Sequence, residues 1–197
     1  MNIGIFGGAF NPVHNGHMAL AEHYVDFLNL DRLIFVPTAL PPHKANNDLI
    51  DGKYRIDMLN IAIDANKIYS VDDCEFHRNG KSYTVDTMKY FKDKFPDDKF
   101  YLIVGEDQYL HFDKWYKFDE ILGYATVVTA ARHRDKFDEL CSFKQSNAFM
   151  KNSIVSDFDV TEVSSSEIRY KVKNGIDISH IVPEKVNEYI KEHNLYV

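Results

Sequence analysis

Short continuous runs of apolar residues alternate along this chain with longer segments in which apolar residues recur every three or four positions. The runs predict strands at residues 1–6, 33–36 and 100–104, and residues 126–130, which include two threonines, are a further predicted strand. Runs of this length are typical of parallel strands that are covered on both faces. The alternation therefore predicts an α/β fold, an open doubly wound Rossmann-like sheet of about five parallel strands with flanking helices. Shorter strand candidates lie at residues 68–71, 74–76 and 153–158.

Between these runs, the helical repeat predicts helices at residues 18–28, from about 51 onwards, 83–95, 137–141, 164–173 and 183–193. Ser82 and Ser164 stand where an N-cap residue would accept a backbone N–H. Pro183 is predicted as the first residue of the last helix. Asn174 and Gly175 are predicted to end the helix that precedes them.

The composition is that of a globular protein with one domain, residues 1–197. Apolar residues make up 45% of the chain and charged residues 27%, so disorder is not expected. The net charge of −7 argues against broad binding to nucleic acid or to an anionic membrane, so a phosphate ligand would need a local cluster of donors. The two cysteines show no Cys-x-x-Cys spacing, and no signal peptide or long apolar span is visible. These features predict a cytoplasmic protein.

The first apolar run leads into a glycine-rich loop and then into a helix. Gly7 and Gly8 allow backbone N–H groups to come close to a ligand, and the start of a helix carries partial positive charge. His14 and His17 are three residues apart, so both are expected to face whatever the loop binds. Neither a Gly-x-Gly-x-x-Gly fingerprint nor a P-loop is present. An ordinary strand–helix turn with incidental histidines is the alternative interpretation.

A second helix start, near Ser164, offers a similar environment. Ser164 and Glu167 have the spacing of a capping box, in which each side chain binds the other residue's backbone N–H. Ser165 and Arg169 could add a hydroxyl and a forked guanidinium that binds phosphate. The two interpretations are compatible, because a capped helix still presents its remaining donors.

Residues 7–17, Gly-Gly-Ala-Phe-Asn-Pro-Val-His-Asn-Gly-His, resemble the first signature of the His-x-Gly-His nucleotidyltransferases. Residues 163–169 resemble the second signature of that family, Ile-Ser-Ser-Thr-x-Ile-Arg, with Val163 in place of the isoleucine and Ser166 in place of the threonine. The resemblance implies catalytic roles for His14, His17, Lys44 and Arg169. It implies ATP binding by Gly7, Gly8, Phe10, His14, His17, Gly105, Asp107, Ser164, Ser165 and Arg169.

Residues 75–87, 105–107 and 112–116 resemble segments of nicotinate-mononucleotide adenylyltransferases. In that family the Ser-Tyr-Thr turn and the Trp-Tyr pair hold the pyridine ring and its carboxylate, and the residue corresponding to Asp107 binds the ribose of ATP. The implied mononucleotide-binding residues are Lys44, Tyr83, Thr84, Trp115 and Tyr116. A pyridinium ring is a flat cation that suits the face of Trp115, and backbone N–H groups near Tyr83 could bind its carboxylate. Trp115 could equally be a core aromatic, and Lys44 could equally be a solvated surface lysine.

The resemblance extends from Ile3 to the last helix. It implies transfer of AMP from ATP to nicotinate mononucleotide, which gives deamido-NAD (nicotinate adenine dinucleotide) and pyrophosphate in NAD biosynthesis. Mg²⁺ is expected to arrive with ATP, since no protein metal site is visible in the sequence. Arg132 and Arg134 could approach the triphosphate. The sequence leaves open whether the protein forms a homo-oligomer. A pantetheine-phosphate adenylyltransferase would share both signatures, whereas a nucleotide sensor would not need both histidines.

Overall fold

The computed structural model describes residues 1–42, 48–64, 66–131, 134–158 and 163–197, apart from the side chains of Arg134 and Asp135. Within these ranges the strands are β1 (Asn2–Gly8), β2 (Arg32–Pro37), β3 (Tyr69–Val71), β4 (Lys99–Ile103), β5 (Ala125–Ala131) and β6 (Ile154–Asp157). The α-helices are α1 (Asn15–Leu28), α2 (Gly52–Ile63), α3 (Thr84–Lys94), α4 (Glu106–Tyr109), α5 (Phe118–Tyr124), α6 (Arg134–Ser146), α7 (Ser165–Lys173) and α8 (Glu184–Glu192). Short 3-10 helices lie at Cys74–His77, Phe112–Lys114 and Ala148–Met150.

The strands form one parallel sheet with the spatial order β3-β2-β1-β4-β5-β6. From β1 the chain adds β2 and β3 on one side, and it then crosses to the other side of β1 to add β4, β5 and β6. This order confirms the predicted doubly wound α/β fold. The carboxyl ends of β1 and β4 border the point at which the order reverses, where open α/β sheets bind their ligands.

The two faces of the sheet bury different sets of side chains. On β1, Phe6 packs with Tyr24 of α1 and Leu59 of α2, in a core that α7 and α8 complete. Ile5, its neighbour in sequence, points to the opposite face and packs in a second core with Met88 of α3 and residues of α5 and α6. Successive strand residues alternate between faces, so continuous apolar runs are required where helices cover both.

The sheet differs from the sequence prediction at its edges. In the described part of the chain it has six strands rather than about five, because the short segments β3 and β6 pair with β2 and β5. The strand prediction at residues 74–76 is wrong. Asp72 Oδ1 accepts the N–H of Cys74 at 3.1 Å, and the carbonyl of Asp73 accepts the N–H of Phe76 at 2.9 Å. These local bonds turn the chain into a 3-10 helix instead.

Some helix ends also differ from the prediction. Tyr83, not Ser82, is the N-cap of α3, and the Ser82 hydroxyl accepts the N–H of Leu40 at 3.0 Å. Pro183 is the N-cap of α8 rather than its first residue, and α6 is longer than the short helix predicted there. None of the helices in the described ranges combines the length and the apolar character needed to cross a membrane.

His23 of α1 lies partly buried among aromatic side chains. Its ring stacks on that of Phe158, with centroids 4.1 Å apart, and its Nε2 lies 2.9 Å from Oγ of Ser156. Burial lowers the pKa of His23 below its ordinary value of 6.5, although the carboxylate of Asp26 acts in the opposite direction. The folded protein therefore binds a proton at His23 less readily than the unfolded chain does.

We expect His23 to make the free energy of unfolding fall as the pH is lowered through about 6.5, because the unfolded chain then binds more protons than the folded protein. Urea unfolding at about pH 7.5 and about pH 5.5 should show a smaller difference between the two conditions in His23→Gln than in the wild type. His77→Gln is the control, since that ring is exposed beside Asp73. An unchanged pH dependence in His23→Gln would contradict the expectation.

Candidate functional site

The two histidines of the first motif cap the helix that they begin. His14 is the N-cap of α1, and its Nδ1 accepts the N–H of His17 at 3.3 Å. In return, Nδ1 of His17 accepts the N–H of His14, also at 3.3 Å. The two rings stack with centroids 3.6 Å apart. This reciprocal cap was not predicted, because such boxes are usually built from a hydroxyl and a carboxylate or amide.

The cap determines which nitrogen of each ring carries the hydrogen. A ring nitrogen that accepts a backbone N–H has no proton of its own, so both neutral imidazoles carry their hydrogen on Nε2. His17 is further fixed by Phe10 and Phe6, whose ring centroids lie 5.0 and 5.9 Å from its own. The loop therefore holds two N–H donors in defined orientations at a helix start, an arrangement suited to phosphate oxygens.

The second helix start is joined directly to the first loop. Ser165 of α7 donates from its hydroxyl to the carbonyl of Pro12 at 2.9 Å. Arg169, one turn further along α7, donates from Nη1 to the carbonyl of Asn11 at 3.0 Å, and its Nη2 lies 3.9 Å from the carboxylate of Asp48. The two helix starts, whose residues the resemblance assigns to one ATP site, are therefore bonded to each other across 158 positions of sequence.

The start of α7 is capped from within its own sequence. Ser164 accepts the N–H of Glu167 at 3.1 Å, as predicted. The carboxylate of Glu167 pairs with Lys171 at 2.8 Å, so the second half of the predicted capping box is not formed. The capped first turn fixes the positions from which Ser165 and Arg169 reach the first loop.

A cleft of about 290 Å³ opens next to that loop, beyond the carboxyl ends of β1 and β4. Its walls include Gly7, Gly8 and Gly105 of the predicted ATP set, and Tyr83, Thr84, Trp115 and Tyr116 of the predicted mononucleotide set. Part of the predicted ATP set and most of the predicted mononucleotide set are thus brought to one concave surface. Its described walls do not include the ATP-set residues Phe10, His14, His17, Asp107, Ser164, Ser165 and Arg169. A cleft at this place in an open α/β sheet is the expected location of a substrate site.

Trp115 occupies an intermediate position between core and solvent. It is half-buried, and its ring packs on that of Phe112 with centroids 5.0 Å apart. It also lines the cleft, as does its exposed neighbour Tyr116, whose ring lies 4.7 Å from that of Tyr83. Because the ring is only half-buried at the cleft, part of it is accessible to a ligand there.

Two walls of the cleft are joined by hydrogen bonds. Ser82 donates its N–H to the carbonyl of Leu40 at 2.9 Å, and its hydroxyl accepts the N–H of Leu40 at 3.0 Å. The buried carboxylate of Glu75 accepts the N–H of Ala39 at 3.3 Å and the hydroxyl of Thr87 at 2.8 Å. The turn before α3 and the loop after β2 are therefore held in a fixed relation.

Arg55 of α2 is a structural residue of the site that was not identified from the sequence. It is 1% exposed, and its Nη1 donates to the carbonyls of Ala9 at 2.9 Å and Thr38 at 2.8 Å. Its Nε donates to the carbonyl of Ile50 at 3.2 Å. Burial lowers the pKa of Arg55 below its ordinary value. The side chain thus links three loops, two of which line the cleft.

The remaining predicted residues are placed as follows. Asp107 is exposed in the first turn of α4, whose N-cap is Gly105. Lys44 and Arg132 lie outside the described residues, as does the side chain of Arg134. Among the residues that the structure describes, no cluster of three or more His, Cys, Asp or Glu side chains could hold a metal ion.

Comparison with known proteins shows the family of the chain. The cytidylyltransferase-like family model matches residues 5–171 of the chain. A protein of Borreliella burgdorferi named "Probable nicotinate-nucleotide adenylyltransferase" is 39% identical over 198 residues, which cover 100% of this chain and 97% of that protein. The nicotinate-nucleotide adenylyltransferase of Bacillus subtilis is 35% identical over 194 residues, which cover 98% of this chain and 97% of that enzyme.

The fold is shared with a solved structure at lower sequence identity. Plasmodium falciparum nicotinic acid mononucleotide adenylyltransferase, in complex with NaAD, superposes with a TM-score of 0.82 at 22% identity. The superposition covers 99% of this chain and 97% of that one. The doubly wound arrangement therefore extends over nearly the full length of both chains.

Proposed function

Since the chain belongs to the cytidylyltransferase-like family and to the nicotinate-nucleotide adenylyltransferases within it, we propose that it transfers AMP from ATP to nicotinate mononucleotide. The products are deamido-NAD and pyrophosphate, and the reaction is a step of NAD biosynthesis. One observation carries this assignment: Ser165 and Arg169 of α7 are bonded to the loop that leads into the paired histidines. Donors from both helix starts can therefore act on a single triphosphate.

The chemistry needs positioning and charge stabilisation rather than a protein nucleophile. The attacking group is a phosphate oxygen of the mononucleotide, which is already ionised at neutral pH. It attacks the α-phosphorus of ATP, and the bond from that phosphorus to the pyrophosphate oxygen breaks. His14 and His17 donate from Nε2 to phosphate oxygens, with His17 nearest the α-phosphate. Oriented donors of this kind stabilise the charge that develops in the transition state.

The leaving pyrophosphate is held from the other helix start. Arg169 binds the β- and γ-phosphates through its guanidinium, and Ser165 binds them through its backbone N–H at the start of α7, since its hydroxyl donates to Pro12. Lys44 binds phosphate between the two substrates, and Asp107 binds the ribose of ATP. Arg169 is oriented for this task by its bond to the Asn11 carbonyl. Mg²⁺ accompanies ATP on the phosphate oxygens and neutralises part of their charge.

The other end of the cleft accounts for the choice of mononucleotide. Trp115 offers its ring to the pyridinium cation, and the first turn of α3, which begins at Thr84, offers backbone N–H groups to the carboxylate. The N–H of Tyr83 itself donates to the carbonyl of Lys81 at 3.1 Å, so Tyr83 contributes through its ring. The bonds between Ser82 and Leu40 hold that turn in place. An uncharged amide in place of the carboxylate would make weaker hydrogen bonds there.

Pyrophosphate release with ATP and three separate acceptors tests the assignment. Nicotinate mononucleotide should support release, its amide analogue should support less, and phosphopantetheine should support none. Release with phosphopantetheine alone would identify a pantetheine-phosphate adenylyltransferase. Binding of ATP without turnover of any acceptor would identify a nucleotide sensor.

We expect Trp115→Ala to raise the KM for nicotinate mononucleotide about tenfold, since a desolvated cation–π contact contributes about 1–2 kcal/mol. The KM for ATP should stay unchanged, because the triphosphate donors lie on other elements. Trp115→Phe keeps an aromatic face at the same place and should recover most of the affinity. Steady-state kinetics with each substrate varied in turn provide the measurement, and equal damage to both KM values would make Trp115 a core residue.

A further inference from the structure

Tyr196, which follows α8, reaches back to the loop of the first signature. Its hydroxyl donates to Oδ1 of Asn11 at 3.0 Å, across 185 positions of sequence. The chain is turned toward the loop by two residues with left-handed backbone conformations, Asn194 with φ 49° and Tyr196 itself with φ 66°. This conformation is strained for a bulky residue and persists only where the surrounding contacts hold it.

Asn11 is buried, at 4% exposure, and makes a separate bond with each of three segments. Its Oδ1 accepts from Tyr196, its Nδ2 donates to the carbonyl of Asp48 at 2.7 Å, and its own carbonyl accepts from Arg169. The donor at Oδ1 determines which way the amide is turned, because Nδ2 must then face Asp48. Asn11 is thus the point at which the end of the chain, α7 and the histidine loop are joined.

The Tyr196 hydroxyl is well suited to act as a permanent donor. Burial raises the pKa of its phenol above the ordinary value, and the charges of Arg169 and Arg55 offset this only in part. The phenol therefore keeps its proton at neutral pH. Its ring also packs against the core that lies under α1 and α8.

We propose that Tyr196 is a positioning residue of the triphosphate site, acting through Asn11 on the loop that precedes His14 and on the carbonyl that orients Arg169. This inference rests on the proposed function. Tyr196 itself does not touch the substrate. The mononucleotide end of the cleft is held by a different set of bonds, between Ser82 and Leu40, so the effect of Tyr196 is confined to ATP.

Tyr196→Phe removes the hydroxyl and keeps the ring, so it tests the bond without removing the packing. We expect the KM and the dissociation constant for ATP to rise about five- to tenfold, as for a lost hydrogen bond of ordinary strength, while the KM for nicotinate mononucleotide is unchanged. Tyr189→Phe is the matched control, because it removes a similar bond, 2.8 Å long, from the hydroxyl of Tyr189 to Asp57. It should leave both KM values unchanged.

A double-mutant cycle shows whether the effect passes through Asn11. In an Asn11→Ala background, Tyr196→Phe should have no further effect on the dissociation constant for ATP. Additive effects, a wild-type constant in Tyr196→Phe, or equal weakening in Tyr189→Phe would each overturn the proposal. The dissociation constant for ATP is measured without turnover, so the result for Tyr196 does not depend on the acceptor assay. If the wild type released no pyrophosphate with any acceptor, that result would overturn only the proposed function.

Discussion

Replacing His17 with alanine should lower kcat by about 10²–10³-fold, the loss expected when one oriented donor is removed from a developing charge. The ring is held by the N–H of His14 and by the rings of Phe6 and Phe10, so its Nε2 donor is fixed before substrate arrives. The protein should remain folded, because the lost helix cap costs only about 1 kcal/mol. Steady-state kinetics at saturating ATP and mononucleotide, together with circular dichroism, provide the measurement.

His193→Ala is the matched control for this variant. That ring also lies at a helix end, with Nδ1 3.0 Å from the carbonyl of Tyr189, and it stacks on the Tyr189 ring. It belongs to α8 and not to the histidine loop, so its loss should leave kcat unchanged. A near-normal kcat in His17→Ala would remove His17 from the mechanism.

Arg55→Met should lower the free energy of unfolding by about 3 kcal/mol, because three partly buried carbonyls lose a charged, buried donor at once. Those carbonyls belong to Ala9, Thr38 and Ile50, on loops that follow β1, follow β2 and precede α2. Activity should fall as well, since two of these loops line the cleft. Urea unfolding gives the free energy, and kinetics at a temperature where the variant is folded give the activity.

Two further variants separate the geometry of Arg55 from its charge. Arg55→Lys keeps a cation but lacks the planar arrangement of donors, so it should recover only part of the lost free energy. Arg32→Met removes a partly exposed arginine that donates to the hydroxyl of Ser70 at 3.1 Å, and it should cost no more than about 1 kcal/mol. A free energy of unfolding in Arg55→Met that is close to that of Arg32→Met would contradict the structural role assigned to Arg55.

The fold was largely predictable because the strands carry their own signal. Continuous apolar runs such as residues 33–36 identify strands buried on both faces, and the helical repeats between them imply crossover connections. The edges were harder to predict. β3 and β6 are short and partly exposed, so their sequences differ little from those of turns, and residues 74–76 were misassigned because the capping carboxylate of Asp72 lies outside the segment.

Candidate residues of the site could be named from the sequence, but the hydrogen bonds that join their segments could not. The two family signatures pointed to His14, His17 and Arg169, and the fold joins their two segments where Arg169 donates to the carbonyl of Asn11. The bonds from α7 to the histidine loop end on backbone carbonyls, which leave no trace in side-chain identity. Arg55 did leave a signal, because it precedes Met58 by three positions and Leu59 by four and so lies on the buried face of α2. A charged residue on that face indicates a buried role.

The join between α7 and the histidine loop has a consequence for how such sequences diverge. Ser165 and Arg169 contact the carbonyl oxygens of Pro12 and Asn11, atoms that every amino acid possesses. These two bonds therefore limit drift at the receiving positions only through the path of the main chain, whereas the side chain of Asn11 is constrained separately by its bonds to Tyr196 and Asp48. A mutation in the loop therefore needs no matching mutation at Ser165 or Arg169 to keep these two bonds. The serine and the arginine can be retained while the amino-acid sequence of the loop changes.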